Sequence, residues 1–367
     1  MAARESLAAV AAHLSADLGN CNSFAATDLP ILIRVRPEFA RGAWNAVHAC
    51  LGITGEDRVA VIKDRDRAEI AAAIEEEVEQ TGATIRSWVM EDVVERPATH
   101  FPTKLGQDLL QLNPTASFFV ADGWPGELAF RQPLLHLLAD RLRCRHGHMV
   151  GIEPRVMWEG MAADYDEVFR LTHQVYEAVR SASRIEVATR LGTELSATFS
   201  SSHRWIPADG RYWQQGRWGN LPEGETFTAP LSVDGVLVGE EMGDYFARRH
   251  GLFEEPVRMR ISDGRLLSVE MPGQSELLGE IQTYLAQHPC SSRVGEFAIG
   301  TNTGLSEIIG NFLQDEKLPG VHIAFGDPYA FETGADWDCP THVDVLASRA
   351  TVIADGRRIM EDGRIVL

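Results

Sequence analysis

The chain has 367 residues, 44% hydrophobic and 24% charged, an ordinary globular composition long enough for two domains or one large one. Acidic residues number 53 against 34 basic ones, a net charge of −19 with no basic run of five or more, which disfavours any nucleic-acid partner. No run of about 18 apolar residues occurs, so the sequence offers no membrane span.

The first residues, "MAARESLAAVAAHLSADLG", carry Glu5 and Asp17 within a short, alanine-rich apolar run, and so predict an amphipathic helix, not an export signal. From about residue 55 the pattern alternates. "RVAVIKD" (58–64), "ATIRSWVM" (83–90), "ASFFVADG" (116–123) and "HMVGIEP" (148–154) read as strands. "RAEIAAAIEEEVEQTG" (67–82) and "ELAFRQPLLHLLADRLRC" (127–144) read as the helices between them. This rhythm predicts a doubly wound, mostly parallel sheet. "DYDEVFRLTHQVYEAVRSAS" (164–183) is a long amphipathic helix that closes it. "VADGWPG" lacks both a GxGxxG pattern and a Walker lysine, and no GxSxG elbow occurs, so neither a nucleotide site nor a serine triad is expected.

Beyond Ser183 the texture becomes β-rich. "RIEVATRLGTELSATFS" (184–200) alternates like a strand pair. "FTAPLSVDGVLVGE" (227–240), "RMRISDGRLLSVEM" (258–271) and "ATVIADGRRIMEDGRIVL" (350–367) predict hairpins turned at Asp-Gly. Helices are expected near 274–287 and 304–316. The predicted fold class is therefore α/β, with an N-terminal doubly wound domain over 1–183 and a C-terminal β-rich α+β domain over 184–367. Five cysteines, Cys21, Cys50, Cys144, Cys290 and Cys339, are odd in number, widely spaced and without CxxC. They predict a reducing, cytoplasmic setting with no disulfide framework and no zinc finger.

The chemistry-bearing residues cluster in the second half. In "PTHVDVL", His342 and Asp344 are two apart in a strand, so they share one face while Val343 and Val345 take the other. Alone, that is equally a structural pair in which Asp344 orients a core histidine. Glu296 stands in "VGEFAIGTN", where a buried carboxylate is costly unless paired or bound to a metal. His322 lies in the apolar "GVHIAFGDPYAF", with Tyr329 seven residues on. Glu223 and Glu225 precede a strand in "GNLPEGETFTAP". Two imidazoles with several carboxylates suit zinc, cobalt, manganese or iron. Each residue taken singly also has an ordinary structural or solvated role.

Taken in order, "NLPEGETFTAP", "GEFAIGTN", "HIAFGDPY" and "THVDVL" resemble the metallo-aminopeptidases of the aminopeptidase T and aminopeptidase S kind. The resemblance covers roughly 215–350 and implies metal ligands at Glu225, Glu296, His322, His342 and Asp344, with Tyr329 beside the metals. It implies two divalent ions (zinc, cobalt or manganese) bridged by Glu296 or Asp344, and Glu296 and Tyr329 as catalytic residues. It further implies a small peptide or amide substrate and a homodimer. Glu223 is a weaker candidate for binding the substrate amine. The twenty residues from His322 to His342, filled by "FETGADWDC", are tighter than the family's. The chain also resembles an iron(II) ring-cleaving dioxygenase of the 2,5-dihydroxypyridine type, which shares an Arg-Trp (here Arg217-Trp218) and would need only His322, His342 and Asp344. Retention of Glu225 and Glu296 favours the two-metal hydrolase. "SSSHRWIPADGRYWQQGRWGN" (200–220) suits an aromatic or anionic substrate and suits plain packing equally.

Overall fold

The computed structural model describes residues 35–243 and 245–367. The expected N-terminal helix and Cys21 lie outside the described residues. Strands β1 (Arg58–Lys63), β2 (Thr84–Val89), β3 (Ala116–Val120) and β4 (Arg145–His148) run parallel. Helices α1 (Ala68–Gln80), α2 (Thr103–Leu112) and α3 (Leu128–Leu135) lie between them in sequence. A parallel sheet covered on both faces needs apolar residues on both, and β1 and β3 have them. Val59, Val61, Phe118 and Val120 pack with Ile70 and Ile74 of α1 on one face. Ala60, Ile62 and Phe119 pack with Leu105, Leu109 and Leu134 on the other.

The fourth strand lies upstream of its expected position, at 145–148 and not 148–154. Its polar residues are buried because they satisfy one another. His146 Nδ1 lies 2.9 Å from Ser117 Oγ, and His146 Nε2 lies 3.2 Å from His148 Nδ1. The apolar residues that suggested the later strand, Met149 and Ile152, plug the core from the following loop. The long helix α4 (Tyr165–Val179) follows, its first turn capped by the Asp164 carboxylate, which accepts from the N–H groups of Asp166 and Glu167.

Next come β5 (Arg184–Ala188), β6 (Glu194–Thr198), β7 (Ile206–Ala208) and β8 (Trp218–Asn220). β8 returns to pair parallel with β4, so the first sheet has order β2-β1-β3-β4-β8 and takes its edge from beyond the proposed boundary at 183. The remaining strands are β9 (Glu225–Thr228), β10 (Ser232–Gly239), β11 (Glu241–Met242), β12 (Val257–Ser262) and β13 (Arg265–Glu270). After helix α5 (Ser275–Leu285) come β14 (Val294–Gly300), β15 (Gly320–Gly326), β16 (His342–Ser348), β17 (Thr351–Ala354), β18 (Arg357–Glu361) and β19 (Arg364–Ile365). They build an eight-stranded sheet, β13-β12-β10-β6-β5-β17-β18-β19, and a six-stranded one, β11-β16-β15-β14-β9-β7. One apolar core joins these two sheets, with Leu195, Leu237 and Met259 from the first meeting Phe297, Ile323 and Val345 from the second.

The Asp-Gly turns hold at 263–264, 355–356 and 362–363, where both residues of each pair have positive φ. Asp234-Gly235 does not turn and lies inside β10. Gly235 is there because β6 passes close: a Cβ would sit 2.1 Å from the Glu194 carbonyl oxygen. Residues 304–311 are irregular, and only Phe312–Asp315 is helical. The Asp315 carboxylate takes the N–H groups of Ile309, Gly310 and Asn311, which satisfies that backbone without a helix.

The cysteine expectation is corrected. Cys290 and Cys339, 49 residues apart, form a disulfide. Their meeting follows from topology. β14, β15 and β16 are consecutive antiparallel neighbours, so the residues preceding β14 and those preceding β16 arrive at the same end of the sheet. No helix among the described residues is long and apolar enough to cross a membrane.

Candidate metal centre

Period-2 alternation selects the residues of the site. On β15, Val321, Ile323 and Phe325 enter the core between the two sheets, which turns His322 and Ala324 to the other face. On β16, Val343, Val345 and Ala347 do the same, turning His342 and Asp344 outward. The register places Ala324 between Glu296 and Asp344, and Gly326 opposite His342. Glu296 reaches that face only through a β-bulge. Val294 pairs with Phe325 and Glu296 with Ala324, so Gly295 is the extra residue. Without the bulge Glu296 would share the core face of Val294. Only glycine fits at 295, since a Cβ would lie 2.3 Å from the Gly326 carbonyl oxygen. Glu225 opens β9 and pairs with Gly300 on β14. Gly224 before it adopts φ +135°, and a Cβ there would meet Asn302 at about 2.9 Å.

Five sequence-predicted ligands thus converge. His322 Nε2 lies 3.5 Å from Glu225 Oε2, 3.7 Å from Glu296 Oε1 and 3.9 Å from Asp344 Oδ1. His342 Nε2 lies 3.5 Å from Glu296 Oε2 and 3.3 Å from Asp344 Oδ2. These separations exceed good hydrogen bonds, but two atoms each about 2.1 Å from one ion lie roughly 3.0–3.4 Å apart. Three sets of donor atoms are close enough for a common cation: Glu225, Glu296 and His322; Glu296, His342 and Asp344; and Glu316, His322 and Asp344. His342 Nδ1 donates to the Asp327 carbonyl at 3.0 Å, which aims Nε2 at the carboxylates. One buried atom that faces this cluster, Glu225 Oε2, has no hydrogen-bond partner among the described residues. Nitrogen and oxygen donors, tightly buried and partly orphaned, fit a divalent cation.

Electrostatics in the metal-free chain says the same. Burial would lower the imidazole of His322, but Glu296, Glu225 and Asp344 outweigh it and hold it up at about 9. His342 is likewise held at about 10, against burial, by Asp344 and Glu296. Burial would raise Asp344, but His342 pulls it down to about 2. Burial raises Glu296, and burial pushes Glu316 up to about 8. Protons fill the role that a cation would.

Tyr329 stands at the rim, 40% exposed, its ring 4.6 Å from that of His342 and 5.9 Å from Phe227. It adopts φ +49°, a left-handed conformation unusual for an aromatic residue, with its N–H on Asp327 Oδ1. Glu223 sits behind Glu225, buried, with one oxygen 2.9 Å from Lys317 Nζ. That ion pair occupies the group considered for the substrate amine. Glu316 and Lys317 are the residues that sequence reasoning missed. In "QDEKLPG" they read as the charged end of a helix, yet Lys317 is only 1% exposed.

The fold resembles two solved structures. Wild-type AmpT from Thermus thermophilus is 19% identical with a TM-score of 0.67, over 90% of this chain and 99% of that one. The 2,5-dihydroxypyridine dioxygenase from Pseudomonas putida KT2440 is 16% identical with a TM-score of 0.64, over 89% of this chain and 96% of that one. At such identities the likeness concerns the fold. No curated protein sequence matches the chain significantly. The sequence pattern of one family matches residues 154–342, just over half of the chain and every residue of the site except Asp344, which lies two positions past its end. The chain belongs to the thermophilic metalloprotease (M29) family.

Proposed function

We propose that the chain is an aminopeptidase-like hydrolase that releases N-terminal residues from small peptides, or cleaves a related amide, with two divalent ions held by Glu225, Glu296, His322, His342 and Asp344. The observation that carries this reading is the placement of Glu296. Its Oε1 faces His322 at 3.7 Å and its Oε2 faces His342 at 3.5 Å, so one carboxylate belongs to two donor sets. Asp344 also spans both imidazoles, less evenly, at 3.9 and 3.3 Å. Charge supports the same count. With every carboxylate ionised and both imidazoles neutral, Glu223, Glu225, Glu296, Glu316 and Asp344 against Lys317 would leave four negative charges, which two divalent ions would balance. Family membership supports a peptide substrate.

When bound, zinc, cobalt or manganese would supply the Lewis acidity that polarises a scissile carbonyl and acidifies a water. The chain's own residues do the rest. Glu296 holds the two donor sets in register. Tyr329, on a backbone turn that fixes its ring over His342, offers a phenol donor at the rim where a carbonyl oxygen would gain charge. Tyr329→Phe is expected to lower kcat about a hundredfold while leaving KM and metal content unchanged, as steady-state kinetics and elemental analysis would show.

The direct test is elemental mass spectrometry on protein purified anaerobically without added metal, followed by assay on aminoacyl substrates. Two zinc, cobalt or manganese ions per chain with turnover of these substrates supports the proposal. A single ferrous ion with oxygen-dependent opening of a dihydroxylated ring overturns it.

A further inference from the structure

Apart from the two histidines, Lys317 is the one basic side chain among the described residues that forms ion pairs in the acidic centre, and it is 1% exposed. Its Nζ lies 2.7 Å from Glu225 Oε1, 2.8 Å from Glu316 Oε1 and 2.9 Å from Glu223 Oε2. An ammonium has three N–H donors and no acceptor, and three carboxylates surround this one at ion-pair distance. The backbone is pinned as well. Lys317 N–H donates to the Gln314 carbonyl at 2.9 Å, and the Lys317 carbonyl accepts from Asn302 N–H at 2.9 Å. The same Asn302 donates through Nδ2 to the Glu223 carbonyl at 2.9 Å. One asparagine therefore fixes both Lys317 and the segment that carries the two glutamates.

The consequence falls on Glu225. One of its oxygens, Oε1, is taken by Lys317, while Oε2 is buried, has no hydrogen-bond partner among the described residues and faces His322 Nε2 at 3.5 Å. We propose that Lys317 is a positioning residue that fixes the Glu225 carboxylate so that a single oxygen, Oε2, is presented beside His322 to a divalent cation. The inference rests on the metal-centre reading above and adds a residue outside the donor set. It also gives the buried ammonium a purpose. A lysine there also repels a cation, so removing it has two opposed effects on metal affinity, and the sign of the change tells which is larger. On this proposal the loss of position dominates and the neighbouring ion binds more weakly.

The test is cobalt(II) titration of the metal-free full chain, followed by visible absorption and calorimetry, for the wild type, Lys317→Met, Glu225→Gln and the double variant. Glu223→Gln/Lys317→Met removes one negative charge together with the ammonium and serves if the single variant does not fold. The expected result in either Lys317 background is an ion on Glu296, His342 and Asp344 held as in the wild type, and a second ion weakened by about tenfold or more. In the Glu225→Gln background, Lys317→Met should add little, since it acts through that carboxylate. Unchanged or tighter binding of the second ion overturns the proposal, as does an effect of full size that persists without the Glu225 carboxylate. A wild-type plateau at one ion overturns the two-ion reading instead. In that case a weakened titration in Lys317→Met retains the role of Lys317 at the single ion, and an unchanged one removes it.

Discussion

Glu296→Gln is expected to lower metal content from two ions to one and kcat/KM by about a thousandfold or more, equivalent to roughly 4 kcal/mol of transition-state stabilisation. Glutamine keeps the shape of the side chain and one carbonyl oxygen, but its amide nitrogen carries hydrogens and presents no lone pair to a cation. Whichever way the amide turns, one of the two donor sets that share Glu296 loses an oxygen. The negative charge facing the ions falls at the same time, so the weaker set has less to hold a second cation. The fold itself should survive. Glu296 is 4% exposed and burial raises its pKa, so the metal-free protein gains by losing that charge. Metal analysis, circular dichroism and steady-state kinetics on the one variant separate these outcomes. Two ions and full activity would remove Glu296 from the centre. His342→Ala discriminates less, because it damages any metal site built on that imidazole.

The site was legible where one strand carries its own evidence. His342 and Asp344 obey the period of two, and His322 stands alone in an apolar run, so the face they share follows from elementary geometry. Glu296 was legible in kind but not in direction, because the Gly295 bulge changes which face it takes. An isolated glycine within a strand pattern is the signal that could have shown it. Glu316 and Lys317 were not legible. They sit where a short helix ends before β15, and a charged run there reads as solvated. Their burial is a product of tertiary packing, with Asn302 and Glu223 arriving from other segments. The same holds for Cys290 and Cys339, whose distance in sequence hides the strand order that joins them. Asp234-Gly235 shows the converse error. A strong local turn signal yielded to the approach of a neighbouring strand, and the glycine was needed for space.

Metal uptake is expected to release about two protons near neutral pH, one for each ion, and the apparent affinity for each ion is expected to fall about tenfold for each pH unit of acidification. The sign follows from the imidazoles. In the metal-free fold His322 is held at about 9 and His342 at about 10, so both carry a proton at neutral pH. A ligand nitrogen must be unprotonated, so each imidazole gives up its proton when a cation arrives, and each displaced proton contributes about tenfold per pH unit. Glu316, raised to about 8, adds to the release when it joins a donor set. Calorimetric titration in buffers of different ionisation enthalpy counts these protons directly. Folding stability should run the opposite way in the two forms. Without metal, the raised imidazoles stabilise the fold fully below their unfolded value of about 6.5, and that contribution disappears as pH rises through about 9 and 10. With metal bound, the same alkaline shift strengthens the centre. Melting curves of both forms from neutral to alkaline pH should therefore diverge, the metal-free protein falling while the loaded protein holds. Metal binding that releases no protons, with parallel melting curves, would show that these two histidines are not displaced by a cation and that the ion sits elsewhere.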